Sequence, residues 1–202
     1  MTIGVYNILD LIESQGEDVV RSLVSDFSTK HEHDGEEVIL NPDIEHFLKE
    51  NAIQFAKEKK SVTYIVGDND DGSVLGYFTI AHKAIEVPPA GMSKTERRKI
   101  DRYAQYNEQL DAYIVSAYLI AQFGKNYQID NGHRITGDHL MQLATKELCD
   151  IQHRIGGGIK YLDCEADAKL IRFYQDEQNF HLFGERISQK DGKRYLQFLK
   201  FF

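Results

Sequence analysis

One uncharged run limits what this chain can fold into. Residues 113–122 carry no charged side chain and are mostly apolar, a composition typical of a central strand that is covered on both faces. A polar passage follows, and residues 137–153 then show the spacing of an amphipathic helix. A buried strand, a connection and a helix in this order predict an α/β (α+β) chain with a mixed, mostly antiparallel sheet flanked by helices.

The other segments predict the rest of this sheet and its helices. Residues 61–66 and 74–80 are rich in β-branched and aromatic side chains, and the turn sequence Asp68-Asn69-Asp70-Asp71-Gly72 between them predicts a hairpin. Further extended segments are predicted over residues 159–164, 180–183 and 194–202. Helices are predicted over residues 6–13, 18–27, 41–59, 93–111, 137–153 and 166–175, and a loop over residues 30–37.

Charge is distributed unevenly along the chain. The net charge is −8, and residues 1–50 hold 12 acidic but only 3 basic side chains. We therefore expect an acidic, helical N-terminal extension over residues 1–40, packed on a domain over residues 41–202 that carries an inserted helix over residues 93–111. An acidic chain binds nucleic acid poorly unless it has a local basic surface, because phosphate contacts supply most of the nonspecific affinity.

The ends and the cysteines indicate the compartment. The first residues lack the basic and apolar stretches of a secretion signal, and no apolar run is long enough to cross a bilayer. We expect a cytoplasmic protein with no membrane contact, whose Cys149 and Cys164 are free thiols. His31, His33 and Asp34 share one polar segment, but a metal site needs further ligands, so we expect a solvated loop there and no bound metal.

The connection before the helix of residues 137–153 is the first candidate site. A glycine at a helix start, here Gly137, lets a ligand approach the backbone closely. Backbone amides and the helix dipole at that point favour a pyrophosphate. The sequence Arg134-Ile135-Thr136-Gly137-Asp138 therefore predicts a phosphate-binding loop.

At this point the chain resembles the GCN5-related N-acetyltransferase (GNAT) superfamily. Its phosphate loop reads Gln/Arg-x-x-Gly-x-Gly/Ala, which is Arg134-x-x-Gly137-x-His139 here. Its last helix often reads Asn-x-x-Ala-x-x-Phe-Tyr, which becomes Asp167-x-x-Leu170-x-x-Phe173-Tyr174, followed by Asn179-Phe180. The strand with Gly76-Tyr77 is also similar to a strand of the family. His139 and Asp167 depart from the family pattern, since they replace a small residue and an asparagine.

The resemblance implies an acetyl-CoA-dependent N-acetyltransferase that transfers an acetyl group to a primary amine by direct attack in a ternary complex. Acetyl-CoA would lie between the strands of residues 113–122 and 159–164. Tyr174 would donate a proton to the departing thiolate, while without the family match it would be taken for a core tyrosine. The implied cofactor-binding residues are Ile120, Ala121, Gln122, Arg134, Ile135, Thr136, Gly137, Asp138, His139 and Asp167.

Several alternatives stay open. His82, Glu86 and Glu165 are candidates for a general base, although we prefer water in that role. The acceptor amine is a small molecule, a peptide or an aminoacyl-tRNA. The last of these follows from a likeness to acetyltransferase toxins, carried by Gly76-Tyr77-Phe78-Thr79 and Phe173-Tyr174. A basic segment that could meet an anionic acceptor contains Lys94, Arg97, Arg98, Lys99 and Arg102. A non-catalytic CoA-binding or interaction module and a homodimer also remain open.

Overall fold

A computed structural model describes residues 2–33, 36–39, 41–90, 92–189 and 192–202. The metal hypothesis for His31, His33 and Asp34 depends on Asp34, which lies outside these described residues. Within them, no helix combines the length and the apolar composition that are needed to cross a membrane.

Ten strands are described, and their bounds follow most of the predicted extended segments. They are β1 (Ile3–Asn7), β2 (Lys30–His33), β3 (Glu36–Ile39), β4 (Val62–Asp68), β5 (Val74–Val87), β6 (Ala104–Asn107), β7 (Ala112–Lys125), β8 (Ile159–Glu165), β9 (His181–Ile187) and β10 (Arg194–Phe201).

Seven α-helices are described alongside these strands. They are α1 (Ile8–Gln15), α2 (Glu17–Ser25), α3 (Pro42–His46), α4 (Ala52–Lys57), α5 (Lys94–Ile100), α6 (Gly137–Ile155) and α7 (Ala168–Arg172). A π-helical segment, Phe47–Asn51, joins α3 to α4, and a second one, Phe173–Glu177, follows α7 directly.

The main sheet has the hydrogen-bonded order β1-β4-β5-β7-β8-β10-β9, and β6 pairs with β7. Its described pairs are antiparallel except for β7 with β8, which run parallel. A separate hairpin is formed by β2 and β3. The predicted class, a single mixed and mostly antiparallel sheet with helices, is therefore confirmed.

The chain forms two compact units, one of residues 1–81 with 121–147 and the other of residues 82–120 with 148–202. The first has a core built around Phe27, Leu48 and Tyr77, and the second has one built around Val87, Ile100 and Tyr161. The boundary predicted at residue 40 falls inside the first unit. Strand β1 pairs with β4, so the N-terminal segment adds a strand to the sheet, where only helices were predicted.

The prediction of one helix over residues 93–111 is wrong in its second half. The capping box of Ser93 and Glu96 is present, but α5 ends at Ile100. Strand β6 then pairs with the start of β7, because the Asn107 side chain accepts the amides of Gln109 and Leu110 and closes a tight turn. Tyrosine is favoured in strands, so this segment is more stable at the edge of the sheet than in a helix.

The loop predicted over residues 30–37 is also wrong, since Lys30–His33 and Glu36–Ile39 form the antiparallel hairpin of β2 and β3. The charged composition of this segment concealed its strands, because hydrophobic alternation is the main signal for a strand and this hairpin has little of it.

Candidate active site

The start of α6 is shaped by a side-chain cap. The hydroxyl of Thr136 accepts a hydrogen bond from the His139 amide at 3.1 Å, and the Thr136 carbonyl accepts one from the Leu140 amide at 3.0 Å. The His139 amide, which was predicted to bind phosphate, is therefore used by the cap. Gly137 is the first residue of the helix, and amides of a first turn have no acceptor within their own helix. The Gly137 amide at the positive end of the helix dipole stays the strongest candidate for an anion contact.

Arg134, two residues before this cap, is held by the turn between β4 and β5. Its guanidinium donates to Asp71 at 2.8 Å and also forms an ion pair with Asp68, whose side chain is 1% exposed. The Ser73 hydroxyl and amide, together with Arg134, lower the pKa of Asp71 to about 2. Arg134 was predicted as a cofactor-binding residue, but its side chain is engaged by two carboxylates, which leaves its backbone for that role.

The connection from β7 to α6 is fastened at further points within the same unit. Asn126 donates to the Val74 carbonyl at 2.8 Å, and its side-chain oxygen accepts the Ser28 amide at 3.0 Å. The Lys125 ammonium donates to the Gly132 carbonyl at 2.9 Å. The passage that precedes α6 is thus tied to the sheet by polar contacts at both of its ends.

A close approach of two backbones explains one glycine of the resemblance. A methyl group added to Gly76 of β5 would lie 2.9 Å from the Gly124 carbonyl oxygen of β7. Such a distance is shorter than an ordinary contact between non-bonded atoms, so a larger residue would displace one of the strands. Gly76 is therefore needed for packing, whatever the chain binds.

The parallel pairing of β7 with β8 is short. The described register covers two residue pairs, Tyr118 with Lys160 and Leu119 with Tyr161. Strand β8 continues to Glu165, and its residues from Leu162 onward are paired with β10. In the described part of the chain, the backbone of β8 beyond Tyr161 is therefore hydrogen-bonded on one side.

Tyr174 lies in the π-helical segment after α7 and is 7% exposed. Its ring packs against Phe173, Phe180 and Phe198, with centroid distances of 5.0 to 6.4 Å. Burial raises the pKa of Tyr174 above that of a free phenol, so the hydroxyl keeps its proton. No hydrogen bond to this hydroxyl is found among the described residues. These four aromatic residues are called the tyrosine cluster below. The Tyr174 hydroxyl in this cluster is protonated and has no hydrogen-bond partner among the described residues.

Asp167, predicted to contact the cofactor, has a structural task. Its carboxylate accepts the amides of Lys169 and Leu170 at 2.9 and 3.1 Å and so caps α7. Aspartate and asparagine are both among the best residues for such a cap, so the replacement of the asparagine of the resemblance retains the cap. Burial also raises the pKa of the nearby Cys164 to about 12, so this thiol is no ready nucleophile.

No protein-family model matches the chain, and no curated protein matches it. Solved structures do. AtaT complexed with acetyl-methionyl-tRNAfMet is 12% identical with a TM-score of 0.60, over 96% of this chain and 94% of that one. A tyrosine-to-phenylalanine mutant of KacT is 12% identical with a TM-score of 0.62, over 96% and 94%. AtaTR bound with AcCoA is 10% identical with a TM-score of 0.53, over 98% and 92%.

The chain has the GNAT fold. At these identities the likeness concerns the course of the backbone. The roles predicted for individual residues depend on the contacts of this chain alone.

The general-base candidates of this GNAT-fold chain differ in their surroundings. His82 lies 3.0 Å from the Ser116 hydroxyl and its ring is 5.3 Å from that of Tyr118. Glu165 forms an ion pair with Lys193 at 2.6 Å, and Glu86 is exposed. Glu165 thus has a protein partner for its carboxylate, whereas Glu86 faces solvent.

The basic segment divides into residues with partners and residues without. Arg97 donates to the Pro89 carbonyl at 3.0 Å, and the Lys99 ammonium lies 5.5 Å from the ring centre of Phe201. Three other cations, called the basic stripe below, are exposed, and their side chains have no hydrogen bond or ion pair within the described chain. Their spacing of four residues follows one side of α5 and the turn after it. They are Lys94, Arg98 and Arg102.

The sequence does not reveal the acidic partners of Arg134. In Asp68-Asn69-Asp70-Asp71-Gly72, both Asp68 and Asp71 are typical turn formers. The turn has more carboxylates than a turn requires, which is the signal in the sequence for an ion pair. Arg134 lies 63 residues from Asp71, however, so no local pattern connects the two.

Proposed function

We propose that this protein is an acetyl-CoA-dependent N-acetyltransferase that acetylates a primary amine. The observation that carries the proposal is the hydroxyl of Tyr174, which is protonated and lacks a partner among the described residues of a GNAT-fold chain. The ring of Tyr174 is buried, but its hydroxyl is not among the fully buried polar atoms that lack a partner in the described chain, so the hydroxyl reaches the surface. An accessible hydroxyl without a protein partner is suited to donate to a substrate.

The described backbone fits acetyl-CoA in two respects. In the first compact unit, the start of α6 offers amides to a pyrophosphate, and we propose pyrophosphate contacts from residues 135–138. We also propose cofactor contacts from Ala121 and Gln122, the latter with pantetheine. In the second, the one-sided pairing of β8 and the end of the β7–β8 register at Leu119 leave strand edges that can bind an extended chain, and we propose a pantetheine contact at Ile120. The caps made by Thr136 and Asp167 support these segments.

Acetyl-CoA supplies an acetyl group as a thioester, which a primary amine takes up while the CoA thiol is released. Tyr174 gives its phenolic proton to the leaving sulfur and regains one from solvent. Water accepts the proton that the amine loses. The aromatic neighbours of Tyr174 hold its ring in one orientation, which keeps the donor aimed at one place.

The test is binding followed by transfer. Titration calorimetry with acetyl-CoA should give saturable binding, and labelled acetyl-CoA should then acetylate members of a panel of primary amines, with CoA released in equal amount. Binding without transfer to small amines, peptides or aminoacyl-tRNA would point to the non-catalytic module instead. Absence of binding would contradict both readings.

A second candidate acceptor is the amino group of an aminoacyl-tRNA. The basic stripe favours it, because unpaired cations on one side of a helix are suited to phosphates. AtaT has been solved with acetyl-methionyl-tRNAfMet, which supports the same acceptor for a chain of this fold. The negative net charge of the chain does not oppose binding of tRNA at the stripe, since the excess of acidic residues lies in residues 1–50.

The acceptor can be tested by removing the stripe. Replacing Lys94, Arg98 and Arg102 with glutamine should lower the acetylation of aminoacyl-tRNA by at least about tenfold while leaving that of a small amine unchanged. The control is glutamine at Arg21, Lys57 and Lys60, which are exposed cations paired with carboxylates. Equal effects of both triple variants, or none, would argue against an aminoacyl-tRNA acceptor at this surface.

A further inference from the structure

Arg134 and its partners form an unusual group to find beside a proposed phosphate site. One guanidinium meets two carboxylates, Asp68 and Asp71. The group therefore carries a net charge of −1, immediately before the loop of residues 135–139. Its charge opposes the binding of an anion, so a direct electrostatic contribution of Arg134 to phosphate binding is cancelled.

The geometry of the group points to a different task. The two terminal nitrogens of Arg134 contact different carboxylates, and one of them also lies 3.4 Å from the Ser73 hydroxyl. A guanidinium bound in this way is fixed in position and in plane, because its donors form a rigid fork. Asp68 is itself immobilised, since it is buried and its carboxylate accepts the Asp70 amide at 3.0 Å.

The neighbouring contacts show which segments the Arg134 guanidinium connects. Upstream, Lys125 donates to the Gly132 carbonyl and Asn126 is bonded to Val74. Downstream, the Thr136 cap starts α6. Arg134 is the link between these two fastened segments, and the turn of residues 68–73 is the fixed body to which it is tied.

We propose that the turn between β4 and β5 positions the phosphate-binding loop through Arg134, with Asp68 and Asp71 as positioning residues. This rests on the proposed function, in which residues 135–138 bind the pyrophosphate of acetyl-CoA. The acidic turn would then strengthen cofactor binding by holding the loop in place, although its negative charge by itself would weaken the binding of an anion.

The electrostatic effect of the turn and its positioning effect predict opposite results for one substitution. If charge governs, Asp71→Asn removes a negative charge beside the pyrophosphate and tightens acetyl-CoA binding. If position governs, the same change loosens Arg134 and weakens binding. Asparagine retains an oxygen that can accept the Ser73 amide, which Asp71 now accepts at 2.9 Å, so the turn itself is kept. Asp71 is half exposed, which protects the fold of the variant.

We expect Asp71→Asn to raise the Kd for acetyl-CoA, measured by titration calorimetry, by about three- to tenfold. The KM for acetyl-CoA should rise by the same factor, with kcat at saturation within twofold of the wild-type value. Arg134→Lys, which retains the charge but loses the fork, should weaken binding at least as much. Asp70→Asn is the matched control, since it removes the same charge from the same turn, and the hydrogen bonds of Arg134 go to Asp68, Asp71 and Ser73.

A readout that needs no ligand accompanies these titrations. Amide hydrogen exchange of residues 135–139 should be faster in Asp71→Asn than in the wild type or in Asp70→Asn. Tighter or unchanged acetyl-CoA binding by Asp71→Asn, or unchanged exchange in the loop, overturns the positioning role while the proposed function stands. Failure of the wild-type protein to bind acetyl-CoA overturns the proposed function as well.

Discussion

The loop before α6 and the tyrosine cluster are held in place by different forces. The loop depends on ion pairs, a hydroxyl cap and backbone hydrogen bonds, at partly exposed positions. The cluster depends on the packing of three phenylalanine rings around Tyr174. The proposed affinity for acetyl-CoA is therefore sensitive to the loss of polar contacts that hold the loop, and the proposed proton donation to the packing of an apolar site. Single substitutions can separate the two.

The largest expected effect is on turnover. Tyr174→Phe should lower kcat by about 10²- to 10⁴-fold, because it removes the proposed proton donor. The Kd for acetyl-CoA and the unfolding free energy should hardly change, since the hydroxyl has no partner among the described residues. Steady-state kinetics and calorimetry check this.

The matched control for that variant is Tyr161→Phe. Tyr161 is also buried, and burial raises its pKa to about 12. Removal of the Tyr161 hydroxyl by this substitution should leave kcat unaltered. An equal fall in both variants would mean that turnover responds to core tyrosines in general.

The packing of the cluster can be tested through stability. Phe198 is fully buried, so Phe198→Ala should lower the unfolding free energy by about 3–5 kcal/mol, as expected for a large cavity. Denaturant titration measures this, with Leu182→Ala as the control at an exposed position. A loss as small as that of the control would show that the rings are loosely packed.

A smaller effect is expected at the loop. Thr136→Ala removes the cap of α6 and should cost about 1 kcal/mol of unfolding free energy. Thr95→Ala, at an exposed position in α5, is the control. Because one capping hydrogen bond counts for less than a buried ring, a loss at Thr136 that approaches the loss at Phe198 would contradict the distinction between the two regions.

The smallest effect concerns alkaline pH. Burial raises the pKa of Tyr174 in the folded state, so the folded chain retains a proton that the unfolded chain loses above about pH 10. The stability that this contributes is complete below pH 10 and declines as the pH rises further. Tyr174→Phe should therefore lose less unfolding free energy than the wild type between about pH 10 and 11. Denaturant titrations at both pH values measure the difference, and parallel losses would contradict a raised pKa of Tyr174.

Local sequence patterns were sufficient for much of the fold. The uncharged run of residues 113–122 lies within β7, and the acidic turn joins β4 to β5 as predicted. The capping box at Ser93 and the helix beginning at Gly137 are also confirmed. These features depend on neighbours a few residues apart, which a sequence displays directly.

Contacts between distant residues account for what was missed. Strand β6 replaces the second half of a predicted helix because β7 offers a pairing edge, and β1 becomes a strand because β4 does. Neither edge has a local signature. The roles of Arg134 and Asp167 changed for the same reason, since their side chains were assigned to a cofactor before their protein partners were known.

The sequence by itself determined the order of most elements, the glycine at the start of α6 and the aromatic pair that includes Tyr174, because periodicity, turn chemistry and short motifs are local properties. The tertiary structure alone decided that Arg134 is held between two carboxylates and that the hydroxyl of Tyr174 lacks a partner among the described residues. Those facts depend on which side chains meet across the fold, and the free energy of such a meeting comes from burial and charge at positions far apart in the chain.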